Sequence, residues 1–374
     1  MYFTRFILFF FLFVTGCQPL VSHKNVSETS RYARGFVISM EGNYRKLTVR
    51  NPWEKAKNID VDYYLVDKNG EIPAWMKDKN IIRTPVENII CLSTTHIAFL
   101  DALDEIDKLT GVSGSIYISN RRVTEKIAQN KIVDVGYDQN LNYEEIIRIN
   151  PDLVMAYGVD SEITNSLNKF RDLGVTVLLN ADYLEPSPLG KSEWIKFVGA
   201  LFNKEAMADS IFCEIERNYL ALSQHAGNVV KKPKVMMGFP YRDAWWVPGG
   251  DSYMSLLIAD AGGDYLGKEN PSHESFVISF EDALMWASQA DLWLNVGMLD
   301  SKAQMLNVDA RFEKFKTFRE GKIYNNNRRT TSLGGNDFWE SSIMFPDLIL
   351  ADLIRIFHAG LLPADTLTYY KLIE

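Results

Sequence analysis

The chain has 374 residues, 47% hydrophobic and 24% charged, with 23 Gly and 13 Pro. That balance excludes a disordered chain, a collagen and a disulfide-stapled miniprotein, and at roughly 100–200 residues per domain it allows two compact units. Forty Lys and Arg against 48 Asp and Glu leave a net charge of −8 with no long basic run, which argues against a nucleic-acid partner, and the three Cys, at 17, 91 and 213, cannot build a zinc ribbon or a CxxC redox pair.

Met1–Arg5 is short and basic, and Phe6–Val14 is an unbroken apolar run of nine residues, too short for a bilayer, which needs about 20 helical residues. This is the pattern of a secretory signal peptide. Val14-Thr15-Gly16-Cys17 resembles a bacterial lipobox, so residues 1–16 are expected to be removed and the Cys17 thiol lipidated. Residues 17–30, polar and aperiodic, then read as a tether that holds the protein to a membrane, facing the periplasm or the cell surface.

Residues 31–85 form a β-rich extension in which Gly35–Ser39, Lys46–Arg50 and Tyr63–Val66 alternate with the turn signals Glu41-Gly42-Asn43 and Asn69-Gly70, the grammar of hairpins. From Val86 the pattern becomes strand, helix, strand: Ile89–Leu92, an amphipathic stretch from Thr94 to Leu109, then Leu153–Ala156 and Val175–Leu179. Such alternation predicts a parallel sheet, and 86–184 reads as a first α/β lobe. After Glu185-Pro-Ser-Pro188, apolar residues from Trp194 to Leu222 recur at helical spacing, predicting a long helical linker over 185–230. A second α/β lobe follows over 231–374, with strands at Val235–Phe239, Leu292–Val296 and Lys322–Tyr324 and a helix at Met254–Ala261. The fold class expected is α/β: two lobes of parallel sheet flanked by helices, joined by the linker. Cys91 and Cys213 both sit among apolar neighbours and are expected as buried thiols; sequence leaves open whether they are bridged.

The two lobes repeat a phrase, Asn142-Tyr-Glu-Glu…Asp152-Leu-Val154 and Ser279-Phe-Glu-Asp…Asp291-Leu-Trp293: cap residue, aromatic, Glu, short helix, then an Asp leading into a strand. With these phrases, Val86–Ser93, Leu109–Val112, Val247-Pro-Gly-Gly250, Ala261-Gly-Gly-Asp264 and Glu320–Tyr324, the chain from Val86 onward resembles the substrate-binding lipoproteins of ABC importers for iron chelates and cobalamin. It departs from them at His96, where many members have Glu, at His358-Ala-Gly-Leu361, and in the extension. The resemblance implies a non-enzymatic, monomeric protein without a cofactor of its own. Such a protein captures a metal-containing chelate (ferric siderophore, haem or cobalamin) between its lobes and delivers it to the permease. It also implies that Glu144 and Glu281, at matching places in the two phrases, dock on arginines of the permease subunits. The plainer reading of each is an acid stabilised by about 0.3–1 kcal/mol at a helix N-terminus.

A ligand trapped between two α/β lobes meets the loops after the strands. Those loops carry Ser93–His96, Ser115–Arg122, Tyr157 and Asp182-Tyr183 in the first lobe, and Tyr241–Trp246, Asn325–Arg329 and Asn336–Trp339 in the second. The candidates for ligand contact are His96, Tyr117, Arg121, Arg122, Tyr157, Tyr241, Arg242, Trp245, Trp246, Arg328, Arg329 and Trp339. Aromatic faces suit a large flat chelate and guanidinium forks suit its carboxylates or phosphate; the bland alternative is core packing and solvated rim. No site that ligates a metal directly is expected, because several ligands must converge and His225 and His273 sit in contexts unrelated to His96. Gly262–Lys268 has P-loop spacing but ends in Glu269 where Ser or Thr is needed, and Gly111–Ser115 lacks the last Gly of a nucleophile elbow. The alternative of another class is a chelatase-like enzyme acting on a tetrapyrrole. It needs a converging His and carboxylate, which only His96 with Asp182 or Asp337 offers. A solvent-exposed adhesion lipoprotein is a third option.

Overall fold

A computed structural model of the protein describes residues 30–137, 140–159, 163–241 and 244–374; the signal peptide, Cys17 and the tether up to residue 29 lie outside them. The first lobe is a five-stranded parallel sheet in the order Val133–Asp134, Leu109–Val112, Ile89–Cys91, Leu153–Ala156, Val177–Leu179. Ile89, Leu153 and Leu178 are fully buried, as continuous apolar runs covered on both faces should be. The helix after the first of these strands is shorter than its periodicity predicts. It is capped by Ser93 and ends at Ala102, because Asp104 turns left-handed with φ 55°, and Leu109 opens the next strand.

The second lobe repeats the plan with Asp264–Tyr265, Lys234–Met237, Leu292–Leu294 and Ile323–Asn325 in parallel and Lys371–Leu372 antiparallel at the edge. The strand expected to run through Phe239 stops at Gly238, whose φ is +84° and where a Cβ would stand 2.3 Å from the Trp246 carbonyl. Phe239–Tyr241 passes instead into a small antiparallel sheet with Ala244–Val247 and Phe276–Ile278.

The linker is two helices, Pro188–Leu201 and Glu205–Gly227, broken where Asn203 turns left-handed. The first is apolar around nearly its whole circumference, and all but two of its fourteen residues are buried, as expected of a helix inside a core. Among the described residues no helix is long and apolar enough to cross a membrane. Cys213 corrects its expectation: it lies on the solvent side of the second linker helix, Cys91 is buried, and both thiols are free.

The extension is a four-stranded sheet, Phe36–Glu41, Tyr44–Arg50, Asp60–Asp67 and Asn80–Thr84, antiparallel except for its last, parallel pair. Phe36 packs edge-on against Trp194 at 4.9 Å, and the Leu179 amide of the first-lobe sheet donates to Tyr63 Oη at 3.0 Å. One continuous core therefore joins the extension, the first lobe, the linker, the helix Pro346–Phe357 and part of the second lobe, through Val235, Met237, Leu257, Ile258 and Leu294. A second core, around Trp245, Trp293, Phe312 and Phe315, lies within the second lobe.

Candidate ligand-binding cleft

A cavity of ≈ 1490 Å³ opens between the lobes, beyond the 300–1,000 Å³ usual for small-molecule pockets. Its first-lobe wall is Thr95, Ala181–Glu185 and Lys191, just past the carboxyl end of Val177–Leu179. Its second-lobe wall includes Asn295 and Asn326, just past the carboxyl ends of Leu292–Leu294 and Ile323–Asn325, with Met298 and Trp339, Trp246 from Ala244–Val247 and Tyr253 at the start of a helix. A third group comes from the extension: Arg34, Arg50, Asn51, Trp53, Glu54 and Lys55.

On the first wall the polar groups serve one another. Lys191 donates to the carbonyls of Asp182 at 3.1 Å and Tyr183 at 2.8 Å, and burial holds its ammonium below the ordinary lysine value. Burial pushes the Asp182 carboxyl up to about 6 against the pull of that ammonium. Asp182 Oδ2 is itself covered and has no hydrogen-bond partner. Asn295, Asn326 and Asn327 likewise keep one covered, unpartnered polar atom each beneath the opposite wall.

The second wall is aromatic and open. Adjacent strand positions face opposite sides, so on Ala244–Val247 Trp245 points inward, 2% exposed, and Trp246 points into the cleft, 49% exposed. Trp339 and Met298 are 60% and 77% exposed. Trp339 is held in place from the first lobe: Thr94 Oγ1 donates to its carbonyl at 3.2 Å, and the next residue, Glu340, accepts from the amides of Ser119 at 2.6 Å and Asn120 at 2.7 Å. Burial pushes the Glu340 carboxyl up to about 7, with Asp337 adding to the rise.

Of the candidate contacts, Trp246 and Trp339 line the cleft. Trp245 does not; its ring stacks on Trp293 at 5.8 Å in the second core. His96 is fully buried and neither ring nitrogen has a hydrogen bond; desolvation holds its imidazole down to about 3. It is a neutral core residue, and the His96–carboxylate pair that an enzyme would need is not assembled. Tyr117 stands outside the cleft, 5.3 Å from the Tyr137 ring. Arg121 pairs with Glu125 at 2.7 Å, Arg122 with Asp101 and Asp104 at 3.2 Å, and Arg329 with Asp337 at 3.0 Å, while Arg328 is exposed away from the lining. Tyr157 is half-buried behind the wall, its ring 6.2 Å from that of Tyr183. Arg242 and the side chain of Tyr241 lie outside the described residues.

The cleft-lining residues that sequence reasoning passed over are Lys191, Tyr253, Met298 and the whole group from the extension. Loop position after a strand flagged Asp182, Tyr183 and Asn326; nothing local flagged the extension, whose approach to the cleft is a contact between segments more than a hundred residues apart.

Glu144 and Glu281 are exposed in the first turns of Tyr143–Ile149 and Phe280–Gln289. Their neighbours are committed: Glu145 pairs with Arg148 and Asp282 closes a capping box with Ser279. Neither Glu144 nor Glu281 has an ion-pair or hydrogen-bond partner among the described residues.

A family profile described as "Periplasmic binding protein" matches residues 89–329. An uncharacterized lipoprotein of Methanocaldococcus jannaschii is 28% identical over 92% of this chain and 85% of its own length. An uncharacterized ABC transporter substrate-binding lipoprotein of Bacillus subtilis is 24% identical over 56% of this chain and 66% of its own. The solved structure of a periplasmic heme-binding protein from Pseudomonas aeruginosa superposes with a TM-score of 0.58 at 17% identity, covering 77% of this chain and 98% of that one.

Proposed function

The chain belongs to the periplasmic binding protein family, whose members bind solutes for ABC importers and are not enzymes, and from that premise we propose that it captures a metal-containing chelate, a ferric siderophore, haem or cobalamin, and hands it to a permease. The observation that carries this reading is the cleft: ≈ 1490 Å³, at the carboxyl ends of two sheets, with exposed indole faces on one wall. A large flat or greasy cargo would cover those faces. The metal is part of the cargo, held by its chelator.

The exposed, uncommitted acids Glu144 and Glu281, one per lobe, support a docking role in which charge complementarity fixes orientation on the permease. A lipid anchor at Cys17, after removal of 1–16, would keep a monomeric receptor near its transporter, and the M. jannaschii relative is itself named a lipoprotein.

The test is native mass spectrometry of protein isolated without denaturant from cells grown in low iron. A bound mass that matches a metal chelate, with its isotope pattern, supports the reading. Protein that stays free of any chelate, and takes up none of haem, cobalamin or ferrioxamine when mixed with them, contradicts it.

A further inference from the structure

We infer that the N-terminal sheet is a fixed third wall of the cleft, on which Arg34 and Arg50 form an anion subsite for a carboxylate or phosphate on the edge of the captured chelate. The inference rests on the chelate-capture reading and adds to it a class of cargo, an anionic one.

The wall is fixed by buried carboxylates. Glu193, fully buried on the first linker helix, accepts from the amides of Arg31, Tyr32 and Ala33 at 2.9, 2.8 and 2.9 Å. Glu185, also buried, accepts from the amides of Arg34 and Gly35 at 2.9 and 2.8 Å and from Trp194 Nε1 at 3.0 Å. Five successive amides are thus strapped to the linker by two acids, a charge-assisted arrangement stronger than neutral pairing. The Arg50 amide donates to the Gly35 carbonyl at 2.7 Å, continuing the ladder in which Phe36 faces Val49. Arg50 therefore stands opposite Gly35, at the roughly 5 Å spacing of an antiparallel pair, and Arg34, one residue along the chain from Gly35, lines the same cavity. The far side of the following loop is pinned as well, by the Glu54 amide on the Val159 carbonyl at 3.1 Å.

The two guanidiniums are uncommitted. Among the described residues every arginine side chain has a hydrogen-bond or ion-pair partner except Arg34, Arg50 and Arg328, and Arg34 and Arg50 are the two that line the cleft. In a chain with 48 acids and 40 bases, two exposed arginines on one cavity wall without a carboxylate partner are free to take one from a ligand. A guanidinium presents paired donors that match a carboxylate or phosphate bidentately. Trp53, half-buried on the same loop, adds an aromatic edge beside them.

The test uses the full-length protein and the double variant Arg34→Gln, Arg50→Gln. Tryptophan quenching would be read with haem, which carries two propionates, with ferric citrate, and with ferrioxamine B, which has no anionic edge. Metal-free citrate would be followed by NMR at the arginine Nε–H signals. The inference predicts affinity for the anionic chelates at least about tenfold weaker in the variant, ferrioxamine binding and thermal midpoint unchanged, and two saturable Nε–H shifts with citrate that vanish in the variant. Anionic chelates bound equally by both proteins, or binding confined to ferrioxamine, would overturn the subsite and leave chelate capture standing. Failure to bind any chelate would overturn the capture reading, and the citrate shifts would then decide the subsite by their presence or absence.

Discussion

The two lobe walls of the cleft are made from different kinds of residue. On the first-lobe side the polar groups are spent on one another: Lys191 on the carbonyls of Asp182 and Tyr183, and Glu185 on the amides of the N-terminal strap. On the second-lobe side large apolar groups are left open, with Trp246, Trp339 and Met298 between 49% and 77% exposed. A wall whose groups are satisfied internally holds shape, and a wall of uncovered aromatic surface gains most from a partner. In the proposed reading the first lobe is the scaffold of the site and the second its contact face. The expected response to ligand is a small hinge motion between the lobes, because a helical connector stores less flexibility than a multi-strand hinge.

Adjacent tryptophans give the sharpest break within the contact wall. Trp245→Ala should cost about 3–5 kcal/mol of stability, because it empties a packed core, and should show as an earlier unfolding midpoint in urea. Trp246→Ala should leave that midpoint within error and weaken haem binding by roughly tenfold, since stacking and burial of one indole face are what it removes. A reversal of the two effects would mean the strand faces the other way.

The scaffold wall should break at its strap. Glu193→Ala leaves three amides without their buried acceptor and should cost about 3 kcal/mol, read by urea unfolding, with proteolysis first cutting near Arg31 and Arg34. A variant as stable and as protease-resistant as the parent would show that the strap is held by packing alone.

Next in size is a pH effect. His96 is buried neutral, its imidazole depressed from near 6.5 to about 3, so the unfolded chain takes up a proton that the folded one refuses. The stabilisation is complete above about pH 6.5 and is lost as pH falls toward 3, at about 1.4 kcal/mol per unit. Compared with His96→Leu, the parent should therefore lose about 2 kcal/mol more between pH 7 and pH 5. Parallel stability curves would place the imidazole in contact with water.

The smallest effect expected is none. Arg121 pairs with Glu125 on a solvated helix, its side chain 91% exposed, and such pairs contribute little. Arg121→Gln should change neither haem affinity nor the thermal midpoint; a clear loss of affinity would bring the first-lobe rim into the site.

These contrasts also mark what could be read from the chain. The lobes, the repeated phrases with their caps at Asn142 and Ser279, and the hairpin at Glu41-Gly42-Asn43 were legible because each is written in local periodicity and turn chemistry. The break in the linker at Asn203 and the strand end at Gly238 were not, because both depend on a backbone twist that neighbouring segments impose. Trp245 and Trp246 were legible as a pair but not as individuals: on a strand one must face in and one out, and only Trp293 and Phe315 across the core decide which. His96 occupies a helix start after a strand, where a ligand contact is plausible from sequence; its turn toward the core follows from packing in the first lobe. The arginines of the extension were missed because their significance comes from where Glu185 and Glu193 tie them, 150 residues and more away in sequence.

The central claim, that a metal chelate lies against the second-lobe tryptophans, is tested most directly by fluorescence titration of the parent and of Trp246→Phe, Trp339→Phe with haem, cobalamin and ferric siderophores. The account predicts saturable quenching of the parent by one of these classes, with a stoichiometry of one, and loss of most of the quenching amplitude in the double variant while the fold is retained. Saturable quenching of equal amplitude in both proteins would place the chelate elsewhere, and no saturation with any of them would contradict the account.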